Sequence, residues 1–157
     1  MRPALRIYRP EDFPVLLAID KVCYPPSIAY TRRELSEYMQ LPGADCLLAE
    51  SAGVVIAFLL TAHQGTEGHI ITIDVLEPYR RTGVGSLMLE AAESRLAACG
   101  VTQAVLETAI NNDSAISFWE KHGYRTRGIL KNYYPGPLDA YAMTKSLRAT
   151  PRRAKGN

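Results

Sequence analysis

The residues richest in chemical information run Tyr79-Arg80-Arg81-Thr82-Gly83-Val84-Gly85-Ser86, between a strand-like stretch, His69 to Val75, and a helix-like stretch, Ser86 to Ala98. The start of a helix leaves backbone N–H groups without intrahelical partners and carries a partial positive charge. Two glycines and two arginines placed there suit a bound pyrophosphate. Glycines ahead of a helix also serve conformation alone. Two sharper phosphate motifs fail on spacing. A Walker-type loop ends in Gly-Lys-Ser/Thr, whereas Gly85 is followed by Ser86-Leu87. A dinucleotide fingerprint needs a third small residue where Met88 stands and should open the fold, and Glu107, at about the distance of a ribose-binding acid, falls inside a strand-like run and not at its end.

The elements that must position this junction can be read along the chain. Leu5 to Arg9 alternates as a strand, and Pro10-Glu11-Asp12 opens a helix with an acidic first turn that runs to about Val22. Cys23-Tyr24-Pro25-Pro26-Ser27 breaks it. Thr31 with Glu34 forms a capping box, so a second helix is predicted over about Arg32 to Gln40. Asp45 to Glu50 and Val54 to Gln64 are β-rich runs around the hairpin signal Ser51-Ala52-Gly53, and Gly65 to Gly68 turns the chain into a third antiparallel strand, His69 to Leu76. Leu87, Leu89, Ala91, Ala92 and Leu96 then give a helix apolar face, ended by Gly100. Gln103 to Ala109 reads as a strand, Ser114 to His122 as a helix, and Tyr124 to Leu130 and Tyr141 to Leu147 as closing strands. A βαβ crossover inside an otherwise antiparallel sheet gives an α/β (α+β) sandwich.

Length and composition bound what this framework can be. At 157 residues, with 47 % apolar and 22 % charged residues, the chain suits one globular domain over residues 1–147 with a single core. No apolar run approaches the roughly twenty residues of a membrane span, and Met1 to Arg6 lacks a signal-peptide apolar stretch. Cytoplasmic residence is the default expectation. The net charge of +2 divides unevenly: Arg148, Arg152, Arg153 and Lys155 supply four positive charges in a basic tail over 148–157, expected to be disordered, which leaves −2 for the rest and argues against a nucleic-acid surface. Cys23, Cys46 and Cys99 are odd in number and far apart, and neither they nor His63 and His69 form a metal-ligand pattern.

Several separated motifs converge on a family. Arg80, Gly83 and Gly85 match the Arg/Gln-x-x-Gly-x-Gly/Ala signature of the GCN5-related N-acetyltransferases, the GNAT superfamily, preceded by the usual strand and by Pro78-Tyr79. Asn112 to Tyr124 resembles the family's Asn-x-x-Ala-x-x-Phe-Tyr-x-x-x-Gly-Phe, in the expected order and separation. Lys131-Asn132-Tyr133-Tyr134-Pro135 and Asp139-Ala140 are similar to segments of the protein N-terminal acetyltransferases, including the ribosomal-protein-alanine enzymes. The likeness covers about Leu5 to Leu147. It implies the GNAT fold, a mixed and mostly antiparallel central sheet with helices on both faces, and acetyl-CoA as the acyl donor.

The resemblance also implies roles. The Arg81 to Ser86 main chain, with Thr82, Gly83, Val84 and Gly85, would cradle the diphosphate, aided by the charges of Arg80 and Arg81. Ile73, Asp74 and Val75 would meet the pantetheine arm along a splayed strand, with the Val75 N–H on the thioester carbonyl, and Asn112 would touch the same arm. Glu107 matches the strand position of a glutamate base, working through a water, and His69 a position where relatives use a tyrosine. Their strands should be neighbours. Tyr133 and Tyr134 on one side, and Tyr24, Ile28 and Tyr30 on the other, would line the acceptor cleft. Trp119 stands where the family places a tyrosine beside the coenzyme sulfur, and an indole cannot supply a proton there. Tyr134 and Tyr124 are substitutes by type, although Tyr124 reads as core. The acceptor expected is a protein or peptide N-terminal α-amine. A small amine (polyamine, amino acid or antibiotic) and a weakly catalytic acetyl-CoA-binding module are the alternatives, and the chain is expected to be a monomer or a homodimer.

Overall fold

The computed structural model describes residues 2–147, so the basic tail lies outside the described residues. Seven strands form one sheet in the order β1-β2-β3-β4-β5-β7-β6. The first half is a meander: β1 (Ala4–Ile7), β2 (Asp45–Ser51), β3 (Val54–Gln64) and β4 (Glu67–Val75) pair antiparallel in turn. The β2–β3 hairpin closes with Ser51 opposite Val54, and Ala52 (φ 52°) and Gly53 (φ 79°) both take the left-handed conformation that a two-residue turn of this hand requires. Gln64 lies opposite Glu67, so the next turn is only Gly65-Thr66, tighter than the four residues read from composition.

Helices cover both faces. Asp12 of the short 3-10 turn Pro10–Asp12 leads into α1 (Phe13–Cys23), and α2 (Arg32–Met39) carries the expected capping box, with Thr31 Oγ1 accepting from the Glu34 N–H and Glu34 Oε1 accepting from the Thr31 N–H. Leu16 and Leu35 of these helices pack on Leu48, Phe58 and Leu60. α3 (Val84–Ala98) and α4 (Asp113–Lys121) pack on the opposite face, where Met88, Leu89 and Trp119 meet Ala57, Leu59 and Leu106. β3 is buried on both sides, which is why its sequence is a continuous apolar run and not an alternation.

The break that matters lies in the middle of the sheet. β4 runs parallel to β5 (Gln103–Ala109) over only three residue pairs, Glu67 to His69 against Gln103 to Val105. Beyond them the strands part, and β5 pairs along its whole length with β7 (Leu138–Ser146) instead. β6 (Arg125–Tyr134) forms the outer edge. It runs four residues past its sequence-read end: two extra residues bulge between Leu130 and Tyr134, with Asn132 at φ 53° and its N–H donating to Asp139 Oδ1 at 2.9 Å. Tyr134 opposite Leu138 then makes Pro135-Gly136-Pro137 the turn, so β7 begins three residues earlier than expected.

Candidate active site

The α3 start leaves its main-chain donors uncapped. Gly83 is its N-cap, at φ 91°, and no side chain caps the helix. The Leu87 N–H to Gly83 O bond closes the first turn at 3.0 Å, so the N–H groups of Val84, Gly85 and Ser86 precede the intrahelical ladder. Arg81 is also left-handed (φ 61°), and the alternation turns successive main-chain donors into one concavity. A Cβ built on Gly83 would meet nothing within 4 Å, so the cap faces open space. Gly85 serves packing: its own Cβ would come to 3.2 Å from Phe118, which lets α3 and α4 approach closely. Thr82 Oγ1 donates to the Tyr79 carbonyl, and Ser86 Oγ pairs with His122 Nε2 at 2.8 Å, so both hydroxyls are engaged while their amides stay available.

Ahead of this turn the parted edge of β4 faces the gap. The Leu76 N–H donates to Ile56 O on the β3 side, so by alternation the main-chain groups of Ile73 and Val75 point the other way, into the gap. Side chains already take their carbonyls. Tyr30 Oη donates to Ile71 O at 3.3 Å, Tyr24 Oη to Ile73 O at 3.1 Å, and Arg80 Nε to Val75 O at 2.8 Å. Cys23 Sγ also approaches Val75 O, at 3.5 Å. The Ile73 and Val75 N–H groups have no strand partner, because β4 pairs with β5 only as far as His69. Asp74 points its side chain to α1, so it offers the gap neither main chain nor carboxyl directly.

Where the two strands separate, His69 Nε2 and Glu107 Oε1 meet at 2.8 Å. His69 ends the β4–β5 pairing and Glu107 lies two residues beyond it on β5, so the contact spans the apex of the gap. Burial pushes the Glu107 carboxyl up, but the hydrogen bond and charge of His69, with the Tyr133 hydroxyl, outweigh it and hold it below the usual carboxylate range. Tyr133 Oη donates to the same Oε1 at 3.3 Å. An ionised carboxylate accepts only, so His69 Nε2 carries the hydrogen and Nδ1 keeps a lone pair when the ring is neutral.

Tyrosines surround this pair. Tyr133 and Tyr134 stack edge to face at 4.9 Å, and burial followed by the Glu107 charge pushes the Tyr134 hydroxyl up to about 12. Tyr38 of α2, absent from the sequence-based site, lies 5.0 Å from the Tyr30 ring, and its hydroxyl is raised by burial, then by Glu34 and Glu107. Its signal was positional: it sits three residues after the fully buried Leu35, at the edge of the inward face of α2. Ile28 is half-buried in the turn that starts at Pro25, whose carbonyl accepts its N–H at 2.9 Å. Two sequence-read residues are engaged differently from expectation. Asn112 caps α4, with Oδ1 accepting the Ala115 N–H at 3.1 Å. Trp119 is 5 % exposed and wedged edge to face between Phe118 and Tyr124, so its indole is chiefly core. Tyr124 is core as expected, its hydroxyl donating to Glu93 Oε2 at 2.7 Å.

A sheet that parts beside an uncapped, glycine-rich helix start, with a histidine–carboxylate contact at the apex, is the arrangement of a coenzyme-dependent group transferase. The sequence profile of the acetyltransferase (GNAT) family matches residues 12–124, and the chain belongs to that family. It is 26 % identical to an N-alpha-acetyltransferase of Sulfurisphaera tokodaii over 156 residues, covering 91 % of this chain and 92 % of the relative. The fold matches the ribosomal-protein-S18-alanine N-acetyltransferase of Escherichia coli with a TM-score of 0.85 at 23 % identity, over 96 % of this chain and 97 % of that one. It matches Arabidopsis thaliana Naa50, solved with the bisubstrate analogue CoA-Ac-MVNAL, with a TM-score of 0.81 at 22 % identity, over 93 % and 99 %. The protein is an acetyltransferase and acetyl-CoA is its acyl donor.

Proposed function

We propose that this acetyltransferase acetylates the α-amine of a peptide or protein N-terminus. The observation that carries the reading is the His69–Glu107 contact at the apex of the parted strands, ringed by Tyr30, Tyr38, Tyr133 and Tyr134. The relative named N-alpha-acetyltransferase supports the α-amine, and the peptide in the analogue bound by the Arabidopsis enzyme supports an extended acceptor.

Acetyl-CoA supplies an activated acyl group as its thioester. The residues of the chain do the rest. Val84, Gly85 and Ser86 N–H groups bind the diphosphate, with Arg81 adding charge. The Ile73 and Val75 N–H groups hold the extended arm and polarise the thioester carbonyl, donors fixed by the sheet and needing no reorganisation. An α-amine is largely an ammonium at neutral pH and has no lone pair for attack. Glu107 orients His69 and neutralises the imidazolium, so the pair takes the amine proton as one unit. Tyr30, Tyr38, Tyr133 and Tyr134 wall the cleft with hydroxyls that stay protonated; those of Tyr30 and Tyr133 already donate to Ile71 O and Glu107, which leaves the Tyr38 hydroxyl to donate to a peptide carbonyl. Tyr134 is the protonated hydroxyl we assign to the departing thiolate, in place of the buried Trp119.

The test mixes the protein and acetyl-CoA with an N-terminal peptide library, a polyamine and amino-acid panel, or no acceptor, and follows free thiol. Peptide-dependent release is expected. Release driven by the small-amine panel alone, or binding of acetyl-CoA with no acceptor-dependent release, would overturn the assignment.

A further inference from the structure

Two carboxyl groups sit where a free carboxylate is least tolerated. Asp20 of α1 and Asp74 of β4 are each 1 % exposed, and after burial the Asp20 carboxyl is the neighbour that acts most strongly on Asp74. Asp20 Oδ2 accepts the Tyr30 backbone N–H at 2.7 Å, and Asp74 Oδ1 accepts the Thr72 hydroxyl at 2.6 Å. Asp74 Oδ2 is buried and meets no N–H or O–H donor among the described residues. What faces the group is another acceptor. Two ionised carboxylates so placed repel each other and leave lone pairs unsatisfied, whereas one proton between them makes a short, charge-assisted hydrogen bond.

The surroundings favour that proton. Burial, and then Asp20, raise the Asp74 carboxyl well above its ordinary range, against the opposing Thr72 hydroxyl and Arg80 charge. The other titratable groups facing the pair are the Cys23 thiol and Tyr24 hydroxyl at the end of α1, the Tyr30 hydroxyl from the α1–α2 connection and the Cys46 thiol of β2, all raised chiefly by burial and so neutral near pH 7. Arg80 is the cation on this side, and its Nε is engaged by Val75 O. A proton held on Asp74 therefore has the Asp20 carboxyl as its nearest acceptor.

The same few residues tie the α1–α2 connection to the parted strand. Asp20 holds the Tyr30 main chain while the Tyr24 and Tyr30 hydroxyls hold the carbonyls of Ile73 and Ile71, and Asp74 lies between Ile73 and Val75 in sequence. We propose that a single proton shared between Asp20 and Asp74 fastens this connection to β4 and so positions the wall of the acceptor cleft. Both are positioning residues, with their side chains on the α1 side of the sheet. In its kinetic readout the inference rests on the peptide-acceptor reading; its spectroscopic readouts do not.

Infrared spectra at pH 7 should show a protonated-carboxyl stretch that D74N lacks, because the new amide donates to Asp20 without a titrating proton. D20A strips the acceptor from the Tyr30 N–H. Amide exchange should then lose protection at Tyr30, and the peptide KM should rise roughly tenfold with the acetyl-CoA Kd kept. D20N restores both an acceptor for Tyr30 and a donor for Asp74, and should return KM to within about twofold of the parent. A native spectrum without a protonated carboxyl, or D20A with native Tyr30 protection and native KM, would overturn the proposal. If no peptide were a substrate, thiol release would be absent in every variant while the infrared and exchange signals stayed readable.

Discussion

Replacing Glu107 with Gln keeps the shape at the apex and removes the charge that His69 Nε2 and Tyr133 Oη share at 2.8 and 3.3 Å. The loss can be sized from the acceptor. With an α-amine pKa near 8, only ~10 % of the acceptor is neutral at pH 7 and ~90 % at pH 9. A positioned base contributes about 10²–10⁴ in rate. We expect E107Q to lower kcat/KM about 10²-fold at pH 7 and to recover roughly ninefold of that deficit by pH 9, as free amine replaces amine that the pair must deprotonate. Stopped thiol-release assays across this range, with acetyl-CoA affinity from calorimetry, measure both terms. The coenzyme Kd should stay within about twofold, since no diphosphate donor is touched. If His69 and Glu107 act as a unit, the H69Q/E107Q pair should cost little more than either change alone. Turnover of E107Q within about threefold of the parent at pH 7 would remove the pair from the chemistry.

Other outcomes follow from separate parts of the molecule. G83A forces a Cβ onto a residue at φ 91° and into the space before the α3 amides; it should cost about 1 kcal/mol of stability by thermal melting and weaken coenzyme binding roughly tenfold by calorimetry. At the other end of the sheet, the Arg6 hydrogen bond, opposed by burial and aided by the Arg9 N–H, lowers the Asp12 carboxyl to about 2. A depressed carboxylate stabilises the fold above its unfolded pKa near 3.9, and this is lost as pH falls towards the folded value. D12N should therefore cost about 1 kcal/mol by denaturant unfolding at pH 7 and only a few tenths of that at pH 2, where the native carboxyl is about half protonated, and equal costs at both would refute the sign.

Local signals were legible and long-range ones were not. The start of α3 was readable because Gly83 and Gly85 act within one turn, and the Thr31–Glu34 cap because its partners are three residues apart. The His69–Glu107 meeting came from family likeness; nothing within either strand encodes a partner 38 residues away. The β6 bulge was hidden because Lys131 to Pro135 has the polar and proline content of a loop, while its pairing is fixed by β7 and by Asp139. Asp20 does leave a local trace: it lies four residues after Leu16 and three after Leu17, a carboxylate on the inward stripe of α1. A charge in that position asks for a buried partner, but the partner is on another element.

Since β4 and β5 share only three residue pairs, the sheet is two plates, β1 to β4 and β5 to β7, joined at a short seam. In the proposed site the pantetheine arm would lie along the bare Ile73–Val75 edge, where it would take the place of a missing strand and bridge plates that the polypeptide leaves apart. The acyl donor would then also be mortar: release of the spent thiol would free the seam that the next donor must bridge, and occupancy and stability would rise and fall together.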